Sequence, residues 1–276
     1  MRRTPLAAWC SAAAVLLAAQ GCSETVAPVK DEPTPSTSPT DDTALPDAPT
    51  VLLQVTEEGD DVEQVGTADV DVNVQTADGG DIAIVPGWDD EPAIDFPDFT
   101  RTKRYPQAVV LVDNTRDEDE LSPGSRSFSW GADFRLDATT TGGVDDGDNL
   151  VQRGLASQPV YFKVEIDDRH VACTVGGTKG SVYSRNWIDI VPGRWYRVLC
   201  QRDGDQLSAI VTEISSGGGG RPTVTTRSGP IGDVTFEEPD LPFVVGGKVG
   251  SDHRIVDDSE VFNGLVMNPV LDIPDE

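Results

Sequence analysis

Phe162-Lys163-Val164-Glu165-Ile166-Asp167 sets an apolar side chain at every second position and a charged one between. A repeat of two is the signature of a strand with one buried and one wet face. Asp167-Asp168 reads as a hairpin turn into a second run, Arg169 to Val175. The same pattern recurs on both sides. Val70, Val72 and Val74 alternate with Asp71 and Asn73, Gly79-Gly80 marks a turn, and Ile82 to Val85 follows. Trp195 to Gln201 and Leu207 to Val211 flank Arg202-Asp203-Gly204-Asp205, where Asp203-Gly204 is a hairpin dipeptide. No stretch keeps a helical period. About fourteen such runs fit from residue 68 to the end, which predicts one all-β domain, a sandwich or a jelly roll.

The N-terminus has a different character. Arg2 and Arg3 precede an apolar run from Leu6 to Ala19, too short to span a bilayer of ~30 Å hydrocarbon. A basic start, a short apolar stretch and small residues after it are the pattern of a secretory signal. The run ends Leu17-Ala18-Ala19-Gln20-Gly21-Cys22, which resembles the lipobox of bacterial lipoproteins. That resemblance implies a signal peptide over 1–21, a lipid such as palmitate on Cys22, and a chain exported and anchored to the outer face of the bacterial cell membrane. Residues 22–49 are rich in Pro, Thr, Ser and Asp, with few apolar side chains to offset ordering entropy. They read as a disordered acidic tether. Residues 50–67 combine Val51-Leu52-Leu53 with a charge run from Glu57 to Glu63 and stand as a transition segment.

The chain carries 21 Lys and Arg against 48 Asp and Glu, a formal net charge of −27. Such a charge argues against nucleic acid as a partner. Of the four cysteines, Cys10 leaves with the signal and Cys22 is the lipid candidate. An even remainder, Cys173 and Cys200, argues for a disulfide in an exported chain, the alternative being two buried thiols. A bond between neighbouring strands would pin their register.

Five pieces, in order, resemble laminin-G-like domains: Phe128 to Asp137; Leu150-Val151-Gln152-Arg153-Gly154; Pro192-Gly193-Arg194-Trp195-Tyr196-Arg197-Val198; Phe243-Val244-Val245-Gly246-Gly247; and Phe262-Asn263-Gly264-Leu265-Val266. The resemblance spans residues 68–273 and implies the concanavalin A-like jelly roll of the lectin-glucanase superfamily. It places a glycine bend with positive φ at Gly246-Gly247, and Trp195 in the core between the sheets.

Glycoside hydrolases of that superfold use paired carboxylates on alternate residues of one strand. Glu165 and Asp167 match the first half of the pattern, but Arg169 or His170 stands where the second acid belongs. Retaining hydrolysis needs a nucleophile and an acid ~5 Å apart, so the motif is incomplete and no catalytic residue is assigned. Glu165 and Asp167 then read as a solvent-facing row. His170 and His253 lack zinc-ligand spacing and read as exposed loop residues. Related lectin domains often hold one calcium at the sandwich rim. The candidate ligands are Asp145, Asp146 and Asp148 in one loop and Asp252, Asp257 and Asp258 in another. The expectation is a non-catalytic, membrane-anchored binding or adhesion module for a glycan or cell-wall component. The alternatives are a structural envelope protein making only protein contacts, and an atypical carbohydrate-active enzyme.

Overall fold

The computed structural model describes residues 44–56, 59–100, 105–138, 147–215, 218–237, 241–256 and 260–275, all within one compact unit that spans Asp41–Glu276. In chain order the strands are β1 (Val51–Val55), β2 (Val62–Gln64), β3 (Val70–Ala77), β4 (Ala83–Pro86), β5 (Pro92–Phe96) and β6 (Gln107–Asn114). Next come β7 (Phe128–Leu136), β8 (Asp148–Arg153), β9 (Tyr161–Asp167), β10 (His170–Gly177), β11 (Gly180–Arg185) and β12 (Trp195–Asp203). The last are β13 (Gln206–Ser215), β14 (Gly218–Gly219), β15 (Thr223–Ser228), β16 (Phe243–Val245) and β17 (Gly264–Asp272). Among the described residues the one helical turn is a 3-10 segment, Trp88–Asp90.

Two antiparallel sheets result. One has seven strands in the order β11-β10-β9-β8-β16-β6-β3. The other has ten, on the path β14-β13-β12-β7-β17-β1-β2, with β15 also on β13 and β5 carrying β4 alongside β17. Alternation decides which side chains meet between them. Phe162, Val164 and Ile166 of β9 point into the main core, as the sequence predicts. Trp130 and Phe128 stack at 4.8 Å, and Trp130 reaches Phe162 of the opposite sheet at 5.2 Å. Phe262 joins Phe96 and Phe134 edge-on. The contact area of such aromatic sets makes them the largest single contributors to a sandwich core.

Turn chemistry closes the hairpins. Asp168 and Arg169, one residue later than expected, both take positive φ between β9 and β10, the geometry of a tight turn that matches strand twist. Gly246 has φ +85, and a Cβ there would strike the ring of Phe96, so glycine is required twice over.

Four expectations change. Residues 50–67 belong to the sheet: Val51 and Leu52 pair with Leu271 and Val270 of β17, and β2 pairs β1 around a turn at Gly59. Val51 and Leu53 are buried and Leu52 half-buried, while Asp60 and Asp61 lie exposed beside the turn. Leu45, within the segment read as tether, packs on Leu199, Ile210 and Val270. Trp195 does not fill the core. It sits on the outer face of the ten-stranded sheet with Ala93, Leu265 and Trp88, and its neighbour Tyr196 points inward against Phe134 at 5.8 Å. Tyr196, Val198 and Cys200 share one face of β12, which sends Trp195, Arg197 and Leu199 to the other. The disulfide forms between Cys173 and Cys200, with Cα atoms 5.7 Å apart, but it joins β10 of one sheet to β12 of the other and pins no strand register. The sheets converge there. Ser184 of β11 donates to the Thr225 carbonyl of β15 at 2.8 Å, and buried Asn186 donates to the carbonyls of Ala209 and Thr223.

Candidate binding face

The outer face of the seven-stranded sheet collects the functional groups. Because Phe162, Val164 and Ile166 point inward, Lys163, Glu165 and Asp167 point outward from β9. Strand pairing sets Ala172 of β10 beside Glu165, and Thr174 beside Lys163. On the far side of β10, Arg185 and Tyr183 of β11 pair with Ala172 and Thr174. Between these two rows β10 presents the small, buried Ala172 and Thr174.

Two exposed aromatic rings lie at the β11 end of this face. Trp187 is 63% exposed and Tyr183 45%. Exposing that much indole costs hydrophobic burial, so its orientation matters. Trp187 is held from beneath. The His170 ring lies 5.7 Å away at 70° to it, and the Arg185 guanidinium lies 5.5 Å from the ring centre. The loop beneath is pinned on both sides, because the Asn186 amide nitrogen bonds the Val171 carbonyl and that of Ile190 bonds the Arg169 carbonyl, each at 2.8 Å. His170 is therefore no loop residue: it opens β10, with Nδ1 at 2.7 Å from the Asp168 carbonyl and Nε2 at 3.5 Å from Asp189. Arg185 also faces Asp167 and Asp168, at 3.6 and 3.7 Å. His253 sits in a turn at φ +56, with Asp113 at 3.6 Å. Burial pushes the Tyr183 phenol up; Arg185 opposes this and the carboxylates of Asp167 and Glu165 add to it. The hydroxyl stays protonated and can both donate and accept.

Glu165 departs from the reading as a solvated row. Its side chain is only 14% exposed and is ion-paired with Lys163. Burial pushes its carboxyl above the usual range; Lys163 pulls it down, while Glu260 and Asp167 raise it further. Beside it, Glu260 Oε2 accepts from Lys248 Nζ at 2.8 Å and from Asn149 Nδ2 at 2.9 Å. Burial raises Glu260, but the hydrogen bond and charge of Lys248, with help from Lys163 and Asn149, leave it below the ordinary value.

Two of the six calcium candidates, Asp148 and Asp252, fall among the described residues. Asp145, Asp146, Asp257 and Asp258 lie outside the described residues. Asp148 is buried and accepts from Asn263 Nδ2 at 2.8 Å, while exposed Asp252 caps the amide of Arg254 at 3.2 Å. Among the described residues no three His, Cys, Asp or Glu side chains group as metal ligands. Cys22 also lies outside the described residues, and among these no helix is long and apolar enough to cross a membrane.

No family model matches the sequence, and no curated protein matches it. Solved structures do match in fold. The binding domain of Botulinum Neurotoxin DC in complex with SialylT aligns with a TM-score of 0.54 at 10% identity, over 83% of this chain and 49% of that one. The binding domain of Paraclostridial Mosquitocidal Protein 1 gives 0.54 at 11%, over 83% and 50%. The botulinum neurotoxin serotype C1 binding domain gives 0.51 at 12%, over 83% and 49%. The shared fold is a jelly-roll sandwich of two antiparallel sheets. The jelly roll here spans about half the length of those structures. Its β7, β8, β12, β16 and β17 carry the five motifs read from sequence.

Proposed function

We propose that this chain is a non-catalytic binding or adhesion module, exported and held at the outer face of a bacterial membrane by a lipid on Cys22, and that it meets a glycan or cell-envelope ligand on the Trp187 face. The observation that carries the reading is an exposed tryptophan on a rigidly pinned loop, with Tyr183, Arg185 and three aspartates around it. Aromatic rings stack on the C–H faces of sugar rings, and carboxylates accept from sugar hydroxyls. Rigid aromatic anchors bind with little ordering cost. Two features support a role without catalysis. The half-motif lacks its second acid, and Glu165 is ion-paired with Lys163 while Arg185 lies 3.6 Å from Asp167. The solved neighbours with matching fold are described as binding domains.

The test is a glycan array and purified cell-wall polysaccharide, probed with the mature chain carrying Cys22→Ala, in calcium and again in chelator. Saturable binding that falls at least tenfold in Trp187→Ala supports the reading, and loss in chelator adds calcium to it. No binding in either condition overturns it and leaves protein contacts as the role. Unchanged lipid labelling of Cys22→Ala overturns the anchor.

A further inference from the structure

Lys248, Glu260 and Asn149 form a set whose chemistry exceeds an ion pair. One carboxylate oxygen of Glu260 lies 2.8 Å from the Lys248 amine and 2.9 Å from the Asn149 carboxamide nitrogen. The three come from distant parts of the chain: Asn149 from β8, Lys248 from the loop after β16, Glu260 from the approach to β17. The fold fixes their proximity. Val261 forms a parallel bridge with Asn149, and the Asn149 amide donates to the Glu260 carbonyl at 3.1 Å. The set is mostly shielded from solvent, the Lys248 side chain being 12% and the Glu260 side chain 26% exposed. Asn149 is fully buried, and Val249, next to Lys248, is buried with Val109, Leu111 and Val244. Among the described residues the Asn149 carboxamide oxygen has no hydrogen-bond partner. That orphaned oxygen is an unmet desolvation cost which the site carries as it stands.

We propose that Lys248 and Asn149 mature into an intramolecular isopeptide bond, with Glu260 carrying the protons. The Lys248 ammonium gives one proton to Glu260 Oε2 along the 2.8 Å hydrogen bond. In low dielectric the neutral pair is less disfavoured than in water, and a desolvated amine is a competent nucleophile. The neutral Nζ attacks Cγ of Asn149 and a C–N bond forms. Glu260 delivers its proton to Nδ2, the Cγ–Nδ2 bond breaks, and ammonia departs. The proton left on the new amide nitrogen passes by way of Glu260 to the ammonia, which leaves as ammonium, and Glu260 ends as the carboxylate it began. No oxidant or cofactor is consumed. Lys248 holds Glu260 ionised at rest, which makes the first proton shift uphill and the reaction slow. One event per molecule is all that maturation needs.

The product ties the loop after β16 to β8 on the seven-stranded sheet, a covalent staple suited to an exported domain under load. The test is a tryptic map of the full mature chain after reduction. The expected result is a branched peptide joining the Lys248 and Asn149 segments, uncut at Lys248 and lighter by one ammonia, at near-complete occupancy. Linear peptides cleaved at Lys248, with Asn149 intact, overturn the proposal. Glu260→Gln keeps the size and hydrogen-bonding capacity but cannot relay the proton, and its map should show linear peptides. A branched peptide in Glu260→Gln overturns the role of Glu260. The wild-type map decides the bond itself even where the variant does not fold.

Discussion

Cys173 and Cys200 face one another across the sandwich with Cα atoms 5.7 Å apart, and their bond is a covalent tie between the two sheets. It sits where the sheets converge and closes a loop over a sequence separation of 27. In the chain-entropy model such closure stabilises the fold by about 3 kcal/mol, and its removal leaves two small thiols in a packed core. Cys173→Ala with Cys200→Ala should therefore lower the urea midpoint by that equivalent. Reductant should reproduce the loss in the parent chain and change nothing in the double variant. An unchanged midpoint in the double variant would refute the assignment.

Arg153 is buried in the core, where its guanidinium bonds both oxygens of Asp119 at 3.0 Å, donates to the Leu241 carbonyl at 2.9 Å and covers the Phe236 ring at 4.2 Å. Burial pushes its pKa down, with Asp119 opposing. Removing only the acid strands a buried cation. Asp119→Ala should cost about 3–5 kcal/mol, whereas replacing both partners with apolar residues of similar volume should cost much less. Equal losses in the single and double variants would mean that the pair is not energetically coupled.

Much of this architecture was legible in sequence, because the two-residue period marks inward and outward rows without knowledge of the partner strand. It fails where both rows are apolar. On β12 the inward row is Tyr196, Val198 and Cys200 and the outward row begins with Trp195, so the larger aromatic suggests the wrong phase. The disulfide was countable, but its crossing of the sheets follows from strand order, which no local pattern encodes. The candidate face is half visible in sequence. Glu165, Asp167 and His170 belong to the incomplete motif, while Trp187 lies outside it. Its fixed exposure depends on Asn186 reaching the Ala209 and Thr223 carbonyls. The one local signal was the spacing of Tyr183, Arg185 and Trp187 at every second residue.

Glu165 gives a signed pH dependence. Its carboxyl is raised above the usual range by burial, so the folded state binds this proton more tightly than the unfolded state. Stability from that difference is fully present below the unfolded value of about 4.3 and is lost as pH rises through the folded value. Glu165→Gln removes the term. Relative to that variant, the parent should lose stability as pH rises from the ordinary glutamate range upward. Urea midpoints across this window test it, and a difference of opposite slope would show that Lys163 outweighs burial.

Trp187 separates binding from folding. Its ring is mostly exposed and rests against the His170 and Arg185 side chains, so Trp187→Ala should change stability by no more than about 0.5 kcal/mol. As an anchor it should matter far more to a ligand, since central aromatic anchors cost roughly 2 kcal/mol or more on truncation. Asn186→Ala acts from beneath. It removes bonds to the Ala209 and Thr223 carbonyls and to the Ile188 amide, leaving buried groups unpaired. It should weaken both folding and binding. Isothermal titration with a ligand identified on the array, alongside urea melts, distinguishes the two. Binding unaffected by Trp187→Ala, while Asn186→Ala weakens it only in proportion to unfolding, would move the ligand off this face altogether.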